Sequence, residues 1–503
     1  MEEIIWSVFL VIKTYLVMEW RKTMGIASLE FILFIFIVMA IYYMMPAKYK
    51  SGLLLVASYL FYGSQNWIFL LLLGSATLFT YGSGLLLEKI SEDSNKAKVV
   101  MLITVIINLF VLGWFKYVNF FTGGIIESLF LPVGISFYLF MSIGYIVDVY
   151  KEKVKAERNV ISYALFVSFF PIILAGPIER AGNMLCQFDS TYLTEIEFDT
   201  ERIRNGFVRM LWGYFQKLVL ADRIATAVNT VYDSPENYGG AMVFVATVLY
   251  TFQIYYDFAG YSNIAIGIAN VFGIKVMENF RAPYLATGIA DFWRRWHISL
   301  SSWFRDYVYI PLGGNRKGKL RKYFNLMIVF LLSGLWHGAG WNYILWGGLH
   351  GLYQVAESLS KNICKKVSGL LKLKKDSFSF NGIKILFTFL EVNVAWVLFR
   401  VKDMEQLSRI VRRFEDVQAW QIFNGGIYEL GLNRANVHLM IMGIILVTLV
   451  DILNEKGIKV SECIAKERLW IRWSIYWAAI IIILLCGMWG SGYDANSFIY
   501  YQF

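Results

Sequence analysis

Charge is scarce in this chain. Only 17% of its 503 residues are Asp, Glu, Lys or Arg, against about 25% in an ordinary soluble domain. Hydrophobic residues make up 57%, and the mean hydropathy is +0.53. That balance excludes a water-soluble globule. Cysteine is also scarce: Cys186, Cys364, Cys463 and Cys486 stand far apart, with no CxxC pair. The spacing excludes a disulfide framework and a cysteine metal site. There are only four histidines, and no i, i+4 pair of ligand types lies around His337, so no metal is expected. The N-terminus opens MEE, without a basic stretch or an A-x-A-like site, so no cleavable signal peptide is expected. Strict apolar–polar alternation, the mark of a membrane β-barrel, is missing too.

What is present is a succession of apolar runs. About 20 apolar residues cross a bilayer as a helix, which predicts an all-α polytopic membrane protein with roughly ten to twelve spans. The runs fall at about 28–46, 52–63, 66–87, 98–117, 131–150, 160–176, 206–228, 241–256, 383–399, 438–453 and 471–490. The 52–63 run is short for a span. The net charge of +10 resides in short loops such as Lys48 with Lys50, Lys96 with Lys98, KEKVKAER at 151–158, NRKGKLRKY at 315–323 and the basic stretch 361–375. These fit the cytoplasmic side of a membrane, with lipid rather than nucleic acid as the partner. Residues 1–23 are apolar, short and interrupted by Lys13. They read as an N-terminal extension, interfacial or otherwise, ahead of one membrane domain over 24–503.

Two segments place polar groups among apolar ones. In QIYYDFAGYSNIAIG (253–267), Gln253, Asp257 and Tyr261 recur every four residues and share a helical face. Such a face meets protein or a water-filled cavity rather than lipid. It reads either as a seam between helices or as part of a site. Over 289–316, Trp293, Trp296, Leu300 and Trp303 make one stripe, with Arg294, Arg295, Arg305 and Asp306 beside it. This predicts an amphipathic helix with interfacial tryptophans. His297 lies within it.

The third segment, SGLWHGAGWNYILWGGLH (333–350), carries His337 among small residues and tryptophans. Between two basic loops there is room for two helices, breaking at Gly338-Ala339-Gly340. His337 then lies roughly 20 Å from the preceding basic loop. Non-helical backbone at that depth requires a cavity or surrounding protein, so the break predicts a cavity at His337, with the ring buried against Trp336 and Trp341. Acyl transfer to a hydroxyl needs a base for the hydroxyl proton, and a neutral imidazole suits the task. A buried histidine bonded to a neighbouring helix is the other reading of the same residues.

LPVGISFY (131–138), FFPIILAGPIER (169–180), QIYYDFAGYSNIAIG (253–267), DFWRRWHISLSSWFRDYVYIPLGGNR (291–316), LLSGLWHGAGWNYILWGGLHG (331–351) and the terminal FIYYQF (498–503) together resemble the membrane-bound O-acyltransferase family, in its bacterial polysaccharide O-acetyltransferase branch. The resemblance extends from about Met24 onward. It implies a ring of about 11 transmembrane helices around a funnel or tunnel. It also implies catalytic roles for His337 and His297. Trp336, Trp341, Asp257, Gln253, Trp296 and Asn342 are then the candidate substrate-binding residues. No bound cofactor is implied; the donor is acetyl-CoA or another acyl thioester, including an acyl carrier protein. The implied setting is the bacterial plasma membrane, with a separate extracytoplasmic acyltransferase as partner. Asn263 departs from the acidic residue usual in that family after GYS. D-alanyl transfer towards teichoic acid uses the same histidines. A transporter or flippase would predict broken helices in two related halves, and one break is seen.

Overall fold

The computed structural model describes residues 24–122, 131–370 and 378–489. The 1–23 extension and the FIYYQF end lie outside the described residues. Every element among the described residues is helical. The helices used below are α1 (Leu29–Met44), α2 (Ala47–Gln65), α3 (Trp67–Lys89), α4 (Ser94–Thr122), α5 (Ile135–Tyr150), α6 (Val160–Ser168), α7 (Thr200–Tyr214), α8 (Asp222–Asp233), α9 (Gly240–Val271), α10 (Ile289–Arg295), α11 (Ile298–Phe304), α12 (Lys319–His337), α13 (Trp341–Leu370), α14 (Phe378–Arg400), α15 (Met404–Arg412), α16 (Arg434–Glu455), α17 (Val460–Lys466) and α18 (Leu469–Cys486).

Six of these are long and apolar enough to cross a membrane: α3, α4, α9, α14, α16 and α18. The apolar helices α1 and α5 are shorter. Similar apolar composition leads to opposite positions. In α9, 78% of the apolar window is buried, against 17% in α4 and 6% in α18. A helix that is apolar all round is stable in a protein interior or in lipid, and here α9 is the interior strut while α4 and α18 face outward.

Local chemistry sets the boundaries. Ser28 caps α1 by accepting from Phe31 N at 3.1 Å, and Asn66 ends α2 and caps α3 by accepting from Ile68 N at 2.9 Å. The short 52–63 run proves to be the middle of a 19-residue helix whose polar start, AKYKS, is helical. The 160–176 run stays helical only to Ser168 and then turns ahead of Pro171. Residues 206–228 belong to α7 and α8, joined through a π-helical stretch over Phe215–Ala221. The 241–256 run continues unbroken through the polar QIYYDFAG segment, giving α9 its 32 residues.

Two helix pairs approach to backbone contact at glycines. A Cβ on Gly213 would lie 2.6 Å from the Gly260 carbonyl oxygen, so α7 and α9 cross almost without side chains between them. In the α12–α13 hairpin, a Cβ on Gly334 would strike the Tyr343 carbonyl and one on Gly347 the Phe330 carbonyl. Gly347→Leu should therefore prevent the hairpin from closing and remove the monodisperse peak in size-exclusion of detergent-solubilised protein. Gly82→Leu, where a Cβ meets nothing within 4 Å, should leave the peak in place.

Candidate active site

α12 ends at His337, and α13 starts at Trp341 after a three-residue break. The break falls at the glycines where it was expected. His337 is buried, and three rings stand near perpendicular to it: Trp336 at 4.8 Å, Trp346 at 4.9 Å and Phe399 at 5.1 Å between centroids. Trp341 does not bury it. The turn points the Trp341 ring outward, 63% exposed and packed on Phe120. Trp346, one turn and a half into the returning helix, takes that place, with Phe399 from α14.

The 289–316 segment is two short helices rather than one. The corner is His297, whose φ of +43° is left-handed, a conformation a non-glycine residue holds only when its surroundings fix it. Asn279 fixes it. Its Oδ1 accepts from Ser299 N at 3.3 Å and Ser299 Oγ at 3.0 Å, and lies 3.1 Å from His297 Nδ1. A backbone N–H can only donate, so the Asn279 atom is the oxygen, and His297 Nδ1 carries the proton. Nε2 is left as the basic nitrogen. The corner also turns the tryptophans inward. Trp293, Trp296 and Trp303 are buried, and the expectation of interfacial tryptophans does not hold.

A third imidazole joins them. His350, fully buried on α13, accepts at Nδ1 from Trp293 Nε1 at 3.3 Å. Trp336 lies between His297 (5.8 Å) and His337, and Trp346 between His337 and His350 (5.0 Å). Histidine and tryptophan thus alternate along one wall. Trp296 and Trp396 extend it at 5.0 Å. Neither His350 nor Asn279 was singled out from sequence. The i, i+4 pair Trp346–His350 was a signal for the former; Asn279 offered none.

The other candidates do structural duty in this state. Asn342 donates from Nδ2 to the Val401 carbonyl at 2.8 Å, tying the start of α13 to the end of α14. Asp257 pairs with Lys217 at 2.6 Å, and Lys217 with Asp222 at 2.8 Å, a buried ion cluster among α9, α8 and the π-helical stretch. This is the helix seam read from its spacing. Gln253 is buried on the same helix. Asn263 bridges Gln216 at 2.8 Å and Arg209 at 3.1 Å. Among the described residues, no group of three His, Cys, Asp or Glu could hold a metal ion.

Two cavities flank the last turn of α12. One, about 40 Å³, is lined by His337, Trp336, Lys116, Leu174 and residues 131–137. The other, about 560 Å³, has an apolar floor that includes Trp293, Leu300, Val329 and Phe330, with Ser333 at its end. Its rim carries Arg294, Arg305, Lys322 and Lys361, with Glu357 the one carboxylate among the lining residues. Ser333 touches the large cavity and His337 the small one, a separation of one helical turn, about 6 Å.

A helical membrane protein with three buried imidazoles alternating with tryptophans, one of them lining a cavity, is the class these observations define. The chain belongs to the membrane-bound O-acyltransferase family, whose profile matches residues 54–399, a stretch that holds all three histidines. It is an O-acyltransferase. It is 38% identical over 418 residues to the probable alginate O-acetylase AlgI of Pseudomonas putida, covering 80% of this chain and 81% of that one. It is 34% identical to the peptidoglycan O-acetyltransferase of Helicobacter pylori, over 74% and 76% of the two chains. With the teichoic acid D-alanyltransferase of Bacillus subtilis it shares 28% identity over 47% of this chain and 62% of that one.

Removing the Asn279 amide leaves three buried donors without their acceptor. Asn279→Ala should cost about 1–3 kcal/mol for each group left unsatisfied and lower the thermal midpoint in detergent. It should also reduce acyl transfer to the level of His297→Ala; an Asn279→Ala protein of full stability and activity would show that His297 is positioned by something else.

Proposed function

We propose that the chain transfers acetyl from a cytoplasmic thioester towards an extracytoplasmic polysaccharide or cell-wall polymer, with His337 as general base. The observation that carries this reading is the placement of His337 one helical turn from a cavity suited to a thioester. The large cavity offers an apolar floor to a pantetheine arm and four cations to phosphate groups, matching acetyl-CoA or a carrier-bound acyl group. The acceptor hydroxyl gives its proton to the imidazole as its oxygen attacks the acyl carbon. The tetrahedral intermediate collapses, the C–S bond breaks, and the departing thiolate takes the proton back.

The positive-inside bias supports this sidedness: α4 and α12 both start beside basic residues, Lys96 with Lys98 and Lys319 with Lys322. In this reading the protein lies in a bacterial plasma membrane. About eleven helices ring a passage in which His337 stands between the cavities, and a separate extracytoplasmic acyltransferase completes delivery to the polymer. Acetyl rather than D-alanyl is favoured because relatives named for O-acetylation match at 34–38% identity over at least three quarters of their length, against 28–29% over 62–69% for relatives named for D-alanyl transfer. His297, through Nε2, serves as the second imidazole of the chamber. Trp336 and Trp296 shape its wall, while Gln253, Asp257, Trp341 and Asn342, which line neither cavity, hold the surrounding helices rather than the substrate.

With purified protein in nanodiscs, His337→Ala should lower transfer from labelled acetyl-CoA by about 10²- to 10⁴-fold while eluting as wild type. Transfer from D-alanyl carrier protein in place of acetyl-CoA would reassign the donor. Transfer from neither would favour transport without covalent chemistry. Reversing two rim charges, Arg294→Glu with Lys361→Glu, should raise the KM for acetyl-CoA roughly tenfold with little change in kcat, since phosphate contacts are made equally in ground and transition states.

A further inference from the structure

The cavity at His337 contains a lysine that the proposed reaction leaves unused. Lys116 lies near the end of α4, about 33 Å along that helix from Ser94, and lines the same 40 Å³ cavity as His337. Its Nζ donates to the carbonyl of Trp336, the residue before His337, and sits 5.7 Å from the centre of the Trp336 ring. The first turn of α5 completes the cavity wall with Gly134, Ile135, Ser136 and Phe137. α5 has 16 residues, so the positive end of a full helix dipole points at the same space.

Holding the end of α12 does not by itself call for a charge. The neighbouring residue does the same work with a neutral group: Tyr117 Oη donates to the Leu335 carbonyl at 2.7 Å. A lysine in a membrane interior is costly and is retained where it meets a functional need. Here an ammonium and a helix N-terminus converge beside an imidazole in a space of roughly three water molecules.

We infer that Lys116, with the first turn of α5, forms the wall that receives the negative charge developing on the acyl oxygen during transfer. The inference rests on the acyl-transfer reading above. When the acceptor oxygen bonds to the acyl carbon, the carbonyl π pair moves to oxygen, and that oxygen is held by a Lys116 N–H. As the C–S bond breaks, the pair returns to the carbonyl and the thiolate leaves with the proton from His337. The ammonium neither gains nor loses a proton, so its contribution is to the barrier alone.

The test uses full-length protein in nanodiscs, in a background with Cys186, Cys364, Cys463 and Cys486 replaced by serine. Transfer from labelled acetyl-CoA is followed to a soluble oligosaccharide acceptor. Lys116→Met should lower kcat by about 10²- to 10³-fold, the usual loss for one oxyanion donor, with donor KM little changed. Tyr117→Phe, which removes the neutral cap, should lose at least about tenfold less kcat than Lys116→Met. Lys116→Cys alkylated with 2-bromoethylamine, which restores an ammonium through displacement of bromide by the thiolate, should regain at least tenfold. Wild-type kcat in Lys116→Met overturns the inference. Equal losses in Lys116→Met and Tyr117→Phe, with equal drops in thermal midpoint and no recovery on alkylation, reduce Lys116 to a cap and also overturn it. A wild-type protein that transfers nothing defeats the acyl-transfer reading and the inference with it, whereas an active wild type beside an equally active Lys116→Met defeats the inference alone.

Discussion

A helix that stops inside a membrane protein presents carbonyls that water cannot readily reach, and the last turn of α12 is such an end. Each of three carbonyls there finds a specific donor. Gly334 receives Gly338 N, Leu335 receives Tyr117, and Trp336 receives Lys116. Satisfying them draws α4 against α12, and the hairpin glycines draw α13 against its other side. The imidazole of His337 is therefore set by backbone hydrogen bonding as much as by its own contacts. Asn342, tied to Val401, carries the same restraint on to α14 and brings Phe399 over the ring.

The second imidazole is held by a different device with the same outcome. A left-handed residue between two short helices would relax if nothing opposed it. Asn279 bonds both the corner and the turn after it, and passes the restraint to Ser262 on α9. The ring of His297 is thereby referenced to the most buried of the six candidate membrane spans among the described residues. His350 is fixed by an indole N–H from α10. Three imidazoles on three elements thus share one wall, and the partition between the two cavities is only as thick as the turn from Ser333 to His337.

Much of this was legible in the sequence. Composition and apolar runs specify an all-helical membrane protein, and three glycine-rich residues in an apolar stretch specify the break after His337. A period of four correctly puts Gln253, Asp257 and Tyr261 on one face of α9, but periodicity cannot name the partner, which is Lys217 some 40 residues upstream. Trp341 is adjacent to the break and reads as a neighbour of His337, yet a short turn reverses direction and carries that ring outward. The tryptophan stripe of 289–316 reads as one helix because each local step favours it. Asn279, distant in sequence, supplies hydrogen bonds that reward breaking it. Lys116 was not singled out from the sequence, because its meeting with His337 depends on how α4 crosses α12.

In the proposed function His337 stands on a thin partition between a cavity reached from the cytoplasm and one reached from the extracytoplasmic side. Single cysteines at Ser136 in the small cavity and Ser358 in the large one, in a cysteine-free background, can be challenged with a membrane-impermeant maleimide in vesicles of known orientation. The account predicts that Ser136→Cys is labelled only from the extracytoplasmic side and Ser358→Cys only from the cytoplasmic side. Labelling of both from one side, or of Ser136→Cys from neither, would contradict it.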